Sequence, residues 1–105
     1  MRRVALLGCA LLAGCKAQPG PYDKVAPIIA KHCAACHSTK PTHKDYDAPP
    51  LGVVLESPRQ VKDQAVRIKA LAVTAQTMPL GNETGMTDAE REALGKWIDD
   101  GAQID

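Results

Sequence analysis

The chain has 105 residues, room for one small domain, and carries 13 Lys and Arg against 12 Asp and Glu. A balance this even supplies no basic surface, so nothing in it predicts nucleic-acid binding. With Tyr22, Tyr46 and Trp97 as its only aromatics and no Phe, the core must be aliphatic, and cores this small usually need a staple or a bound group.

Arg2 and Arg3 form a basic start, Val4 to Leu12 an apolar stretch, and Leu12-Ala13-Gly14-Cys15 a small-residue cleavage site. The stretch is too short to span a bilayer and reads as an export signal over residues 1–14. Leu12-Ala13-Gly14-Cys15 resembles the lipobox of bacterial lipoproteins, which implies that Cys15 is the lipidated first residue of the mature protein. The alternative is an ordinary secretory signal with an incidental cysteine. Loss of Arg2 and Arg3 with the signal moves the formal charge from +1 to −1. With Cys9 discarded and Cys15 lipidated, only Cys33 and Cys36 remain, so no disulfide framework beyond one tight pair is available.

Residues 15–21 read as the lipidated cysteine and a short linker, because Lys16 to Pro21 is polar and contains Pro and Gly. Six extended residues reach about 20 Å, so the domain is expected close to the membrane surface. The domain itself spans 22–105. Val25, Ile28, Ile29 and His32 fall at helical spacing and predict a short helix over Tyr22 to His32. Pro27 lacks an N–H, so its regular ladder starts no more than about one turn earlier.

Cys33-Ala34-Ala35-Cys36-His37 is the sharpest signal in the chain. Two thiols separated by two residues match the two vinyl groups of a haem, and the adjacent imidazole reaches the iron. The motif predicts one covalently bound haem c, with Cys33 and Cys36 holding it and His37 as an iron ligand. Two other readings stay open. One is a redox dithiol of the thioredoxin kind, although the βαβ pattern that accompanies it is absent; the other is a zinc site with His43 as fourth ligand.

Ser38 to Gly52 has prolines, mixed charge and no apolar repeat, and predicts an irregular loop. Ser57 can then cap a helix with Pro58 at its first position. Val61, Ala65, Ile68 and Ala72 make one stripe, carrying that helix to about Ala75. Thr77 to Met86 contains Pro79, Gly81, Asn82 and Gly85 and must be a loop. Thr87-Asp88-Ala89-Glu90 is a capping box, and Leu94, Trp97, Ile98 and Gly101 predict a last helix from Asp88 to Asp100 that Gly101 ends.

Met78, before Pro79 in the glycine-rich loop, is the expected second axial ligand, since a thioether there is presented by a stiff backbone. Met86 suits a core role as half of a hydrophobic staple before Thr87. His32 and His43 compete on paper as donors. Their closeness in sequence to the motif makes them surface groups or groups behind the ligands.

Together these residues resemble a class I cytochrome c over nearly all of Tyr22 to Gln103. The resemblance implies an all-α fold of about three main helices wrapped around one haem, with the last helix crossing the first. It also implies that a proline carbonyl after the motif accepts the His37 Nδ1 proton, for which Pro49 in Ala48-Pro49-Pro50-Leu51 is the match, and that Leu51 packs on the haem. More narrowly, Thr77 to Thr87 with Glu90-Arg91 and Trp97-Ile98 is similar to the C-terminal cytochrome c domain of bacterial membrane-bound urate oxidases, although the multi-span membrane domain of those enzymes is lacking here. The implied function is electron transfer, without a catalytic residue, by a lipid-anchored carrier on the periplasmic side of a bacterial membrane. The implied partner is a membrane-bound oxidase or dehydrogenase. An electron-accepting subunit of such an enzyme, or a haem peroxidase or gas-binding protein, is the alternative.

Overall fold

A computed structural model describes residues 20–105. The expected signal over 1–14, the lipidation site Cys15 and the linker up to residue 19 lie outside the described residues.

The N-terminal helix begins where Pro27 requires. A 3-10 turn, Pro21–Lys24, is closed by Gly20 N donating to Asp23 Oδ2 at 2.8 Å, and α1 (Ala26–His32) follows with Pro27 in its first turn. Proline costs nothing there, because the first N–H groups of a helix have no partner within it. The helix turns Ile28, Ile29 and His32 inward beside the fully buried Val25.

The segment expected as one helix to Ala75 is three short pieces end to end: α2 (Pro58–Asp63), α3 (Ala65–Ile68) and a π-helix over Lys69–Thr74. Ser57 caps as expected, its hydroxyl accepting from Gln60 N at 3.2 Å while Gln60 Oε1 accepts from Ser57 N at 3.0 Å. The helix first breaks at Gln64, where φ is −101° and ψ 10°. The wider turn that follows has Ala75 N bonding back to Ala70 O, which leaves Leu71 O to accept from both Thr77 N and Met78 N. The expected stripe survives these breaks: Val61, Ala65, Ile68 and Ala72 are all buried.

The last helix, α4 (Asp88–Asp99), has the Thr87–Glu90 capping box and ends before Gly101, whose φ of 110° suits glycine. Lys62 Nζ donates to the carbonyls of Gly101 and Ala102 at 3.0 and 3.1 Å, just past the helix, and so sets a cation at the carboxyl end of α4. Gly95 lets α4 lie against the π-helix, since a Cβ there would meet Val73 Cγ1 at 3.0 Å. At its far end Trp97 packs edge-on against Tyr22 with ring centroids 5.6 Å apart, and its Nε1 donates to Gln103 O. Among the described residues, α4 therefore meets the N-terminal segment through the Pro21–Lys24 turn and through His32 of α1.

The described residues contain no strand, and the architecture is all-α. No helix among them is long and apolar enough to cross a membrane.

Candidate functional site

The Cys33–His37 motif leaves the end of α1 in a series of tight turns. Cys33 N donates to Ile29 O at 2.9 Å and His37 N to Cys33 O at 2.9 Å, and Cys33 and Cys36 both face one cleft. Thr42 N and His43 N both donate to Ala35 O, which folds the following loop back over the motif.

His37 is fixed at two points by one extended segment. Its carbonyl accepts from Leu55 N at 2.7 Å, and its Nδ1–H donates to Val53 O at 3.0 Å. This corrects the expectation for Pro49. The Pro49 carbonyl instead accepts from Gly52 N at 3.0 Å, closing a 3-10 turn over Pro50–Gly52 in which Leu51 (φ 57°) and Gly52 (φ 69°) take left-handed conformations. The turn reverses the chain, so the carbonyl offered to the imidazole comes four residues later. With Nδ1 donating, Nε2 carries a lone pair and has no hydrogen-bond partner among the described residues.

Cys33, Cys36, His37 and Met78 line one cleft of about 1260 Å³, part of it open to solvent. Its inner surface is largely aliphatic, formed by Val53, Leu55, Ile68, Leu71, Ala72 and Met86. Leu51 reaches it from the rim and is 95% exposed. Met78 is half-buried in the expected loop, and Met86 is 5% exposed in the core, as its sequence position indicates. The partner position for a staple is Arg91, so Met86 is held instead by Asn82, whose Oδ1 accepts from Met86 N at 2.9 Å and whose Nδ2 donates to Met86 O at 3.2 Å.

The two remaining histidines are not free donors. His32, expected near the surface or behind the ligands, is buried, with Nδ1 2.7 Å from Thr84 Oγ1 and Nε2 2.9 Å from Glu90 Oε1. His43 accepts from Asp45 N through Nδ1 and donates through Nε2 to Glu83 Oε1 at 2.8 Å, joining the loop after the motif to the Met78 loop across one edge of the cleft. Both of its ring nitrogens are engaged, which leaves no lone pair for the zinc site.

Both thiols are pushed above their ordinary range. Burial first, then the neighbouring Cys36, pushes Cys33 up to about 11; burial, then Glu83 and Asp45, raises Cys36. Redox dithiols depend on the opposite shift.

Sequence reasoning missed Val53 and Arg91. Val53 lies in an apolar run, Val53-Val54-Leu55, that breaks an otherwise polar loop. Arg91 sits three residues before Leu94 on the inward face of α4, where a cation is out of place unless it has buried acceptors. It has three: Nη1 donates to Ala72 O at 2.6 Å and Met78 O at 2.9 Å, and Nη2 to Asn82 Oδ1 at 3.2 Å.

In comparisons with protein-family models, with curated proteins and with solved structures, no match to the chain is found.

Proposed function

We propose that this protein is an electron carrier of the class I cytochrome c kind, in which Cys33 and Cys36 would hold one haem through thioether bonds and His37 and Met78 would ligate its iron. The observation that carries the reading is the convergence of these four residues on one aliphatic cleft in which His37 Nε2 and the Met78 sulfur have no other hydrogen-bond partner among the described residues. Residue types and surroundings both fit the group. A flat, mostly apolar macrocycle suits aliphatic walls, and Gln64 and Arg67 at the same cleft offer polar atoms for its carboxylates.

Bound there, the haem supplies a one-electron ferric/ferrous couple. The chain's own residues tune that couple. The Val53 carbonyl fixes the plane of the His37 ring and makes Nε2 a stronger donor. A thioether from Met78 favours the ferrous state relative to a second nitrogen, raising the potential. Leu55, Ile68 and Ala72 keep water from the site, and no proton-transferring group is required.

Lipidation at Cys15 fits the same role, since stable anchoring by acyl chains leaves the domain free to meet partners at the membrane face. A membrane-bound oxidase or dehydrogenase is the proposed partner, with the chain acting as a free carrier or as its electron-accepting subunit. The test is the absorption spectrum of protein matured in a haem-attaching host. A reduced spectrum of low-spin haem c, with the ferric charge-transfer band of a thioether–iron bond that M78A abolishes, supports the reading. A haem-free protein, or a band that survives M78A, refutes it.

A further inference from the structure

We propose that Arg91 is the positioning residue of the sixth ligand: from inside α4 its guanidinium fixes the backbone of Met78 so that the thioether is aimed at the iron. The inference rests on the reading of Met78 as an axial ligand.

Arg91 is 6% exposed, and its partners are backbone and amide oxygens, not carboxylates. A charge buried in this way is expensive to desolvate, so its hydrogen bonds must do something a leucine cannot. They join three segments. Ala72 O belongs to the last turn of the π-helix, where carbonyls left without a backbone donor favour a cation; Met78 O belongs to the ligand itself; Asn82 Oδ1 lies at the middle of the ligand loop.

Met78 is consequently held on both sides of its Cα. Its N–H donates to Leu71 O at 3.1 Å and its carbonyl accepts from Arg91 at 2.9 Å. Asn82 carries the clamp onward, because the oxygen that accepts from Arg91 also accepts from Met86 N. Both ends of the loop are thereby tied to one guanidinium. With both peptide groups of Met78 fixed, the side chain has only its own torsions left to search. Holding a weak, neutral ligand in this way lowers the entropy lost when its bond forms.

The test uses the holoprotein and the affinity of its ferric haem for added imidazole, which must displace Met78. R91Q should bind imidazole about tenfold more tightly than the parent, a shift of ~1.4 kcal/mol in the competition, and lose part of the ferric thioether band. N82A, on an exposed loop, should move in the same direction and supplies the answer if R91Q does not fold. K62M serves as control: it removes the cap from the α4 carboxyl end and lowers stability without touching the ligand loop, so imidazole affinity should stay at the parent value. Parent-like imidazole binding in the folded R91Q and N82A proteins would overturn the proposal, as would an equal gain in K62M, which would make the effect one of stability alone. If M78A binds imidazole no more tightly than the parent, Met78 is not the ligand and the underlying reading fails with the proposal.

Discussion

His32 Nε2 lies 2.9 Å from Glu90 Oε1, the histidine side chain fully enclosed and the carboxylate 26% exposed in the first turn of α4. The pair ties the residue before Cys33 to Glu90, whose same oxygen also accepts from the N-cap Thr87 N, and Thr84 on the other ring nitrogen adds the Met78 loop to the same joint. H32A should lose packing and both bonds, destabilising the domain by ~2–4 kcal/mol in urea unfolding. A loss below about 1 kcal/mol would show that the joint is incidental.

The same joint sets an acid dependence. Glu90 is held below the usual carboxylate range, first by the Thr87 backbone N–H and then by His32. A carboxyl whose folded pKa is depressed contributes its full stability above the unfolded value and loses it as pH falls through the folded one. Stability should therefore decline on the acid side of the ordinary glutamate range, and E90Q should flatten that limb while leaving the neutral-to-alkaline profile parallel to the parent. Denaturation midpoints measured across acid pH decide it. Parallel acid limbs for the two proteins would remove Glu90 from the account.

Met78 and Met86, eight residues apart, should respond oppositely to truncation. Met86 is in the core, so M86A should cost ~2–4 kcal/mol through the cavity it leaves, with the ferric thioether band retained. M78A should cost less stability and change the spectrum. Thermal melts and spectra taken on the same samples separate the two roles.

The close approach of α4 to the π-helix at Gly95 predicts a steric limit. A methyl at 3.0 Å from Val73 Cγ1 requires the valine to yield, which offsets the ~1 kcal/mol that alanine gains over glycine within a helix. G95L goes beyond what Val73 can yield and should destabilise by ~1–3 kcal/mol. V73A should recover part of that loss in the double variant, as a double-mutant cycle would reveal.

Much of this arrangement is legible in the sequence, for physical reasons that differ by site. The cap at Ser57 and the capping box at Thr87 are local, and both form as the sequence predicts, with Gln60 closing the Ser57 cap into a second box. The inward stripe of Val61, Ala65, Ile68 and Ala72 is likewise periodic and is buried. What periodicity cannot give is which carbonyl faces which donor across the fold. Pro49 and Val53 are four residues apart, and the left-handed Leu51–Gly52 turn between them decides which one meets His37. The π-helix is hidden for a similar reason, since its widened turn serves Thr77 and Met78, residues outside the helix. Arg91 was visible only as a cation on an apolar face, a sign that something must accept from it without saying what.

The Val53 contact yields a further contrast. P49A leaves the hydrogen bond to His37 untouched and should leave the reduction potential at the parent value. G52V, which puts a β-branched residue at φ 69° just before Val53, should displace that carbonyl and shift the potential. Equal potentials in both variants would detach His37 tuning from this turn.

The most direct measurement of the central claim is the intact mass of the denatured protein recovered from a host that matures c-type cytochromes. The account predicts a mass increase of one haem that survives denaturation, persists in M78A and disappears when Cys33 and Cys36 are both replaced by alanine. A polypeptide that carries no added haem while its two thiols remain free to alkylation would contradict it.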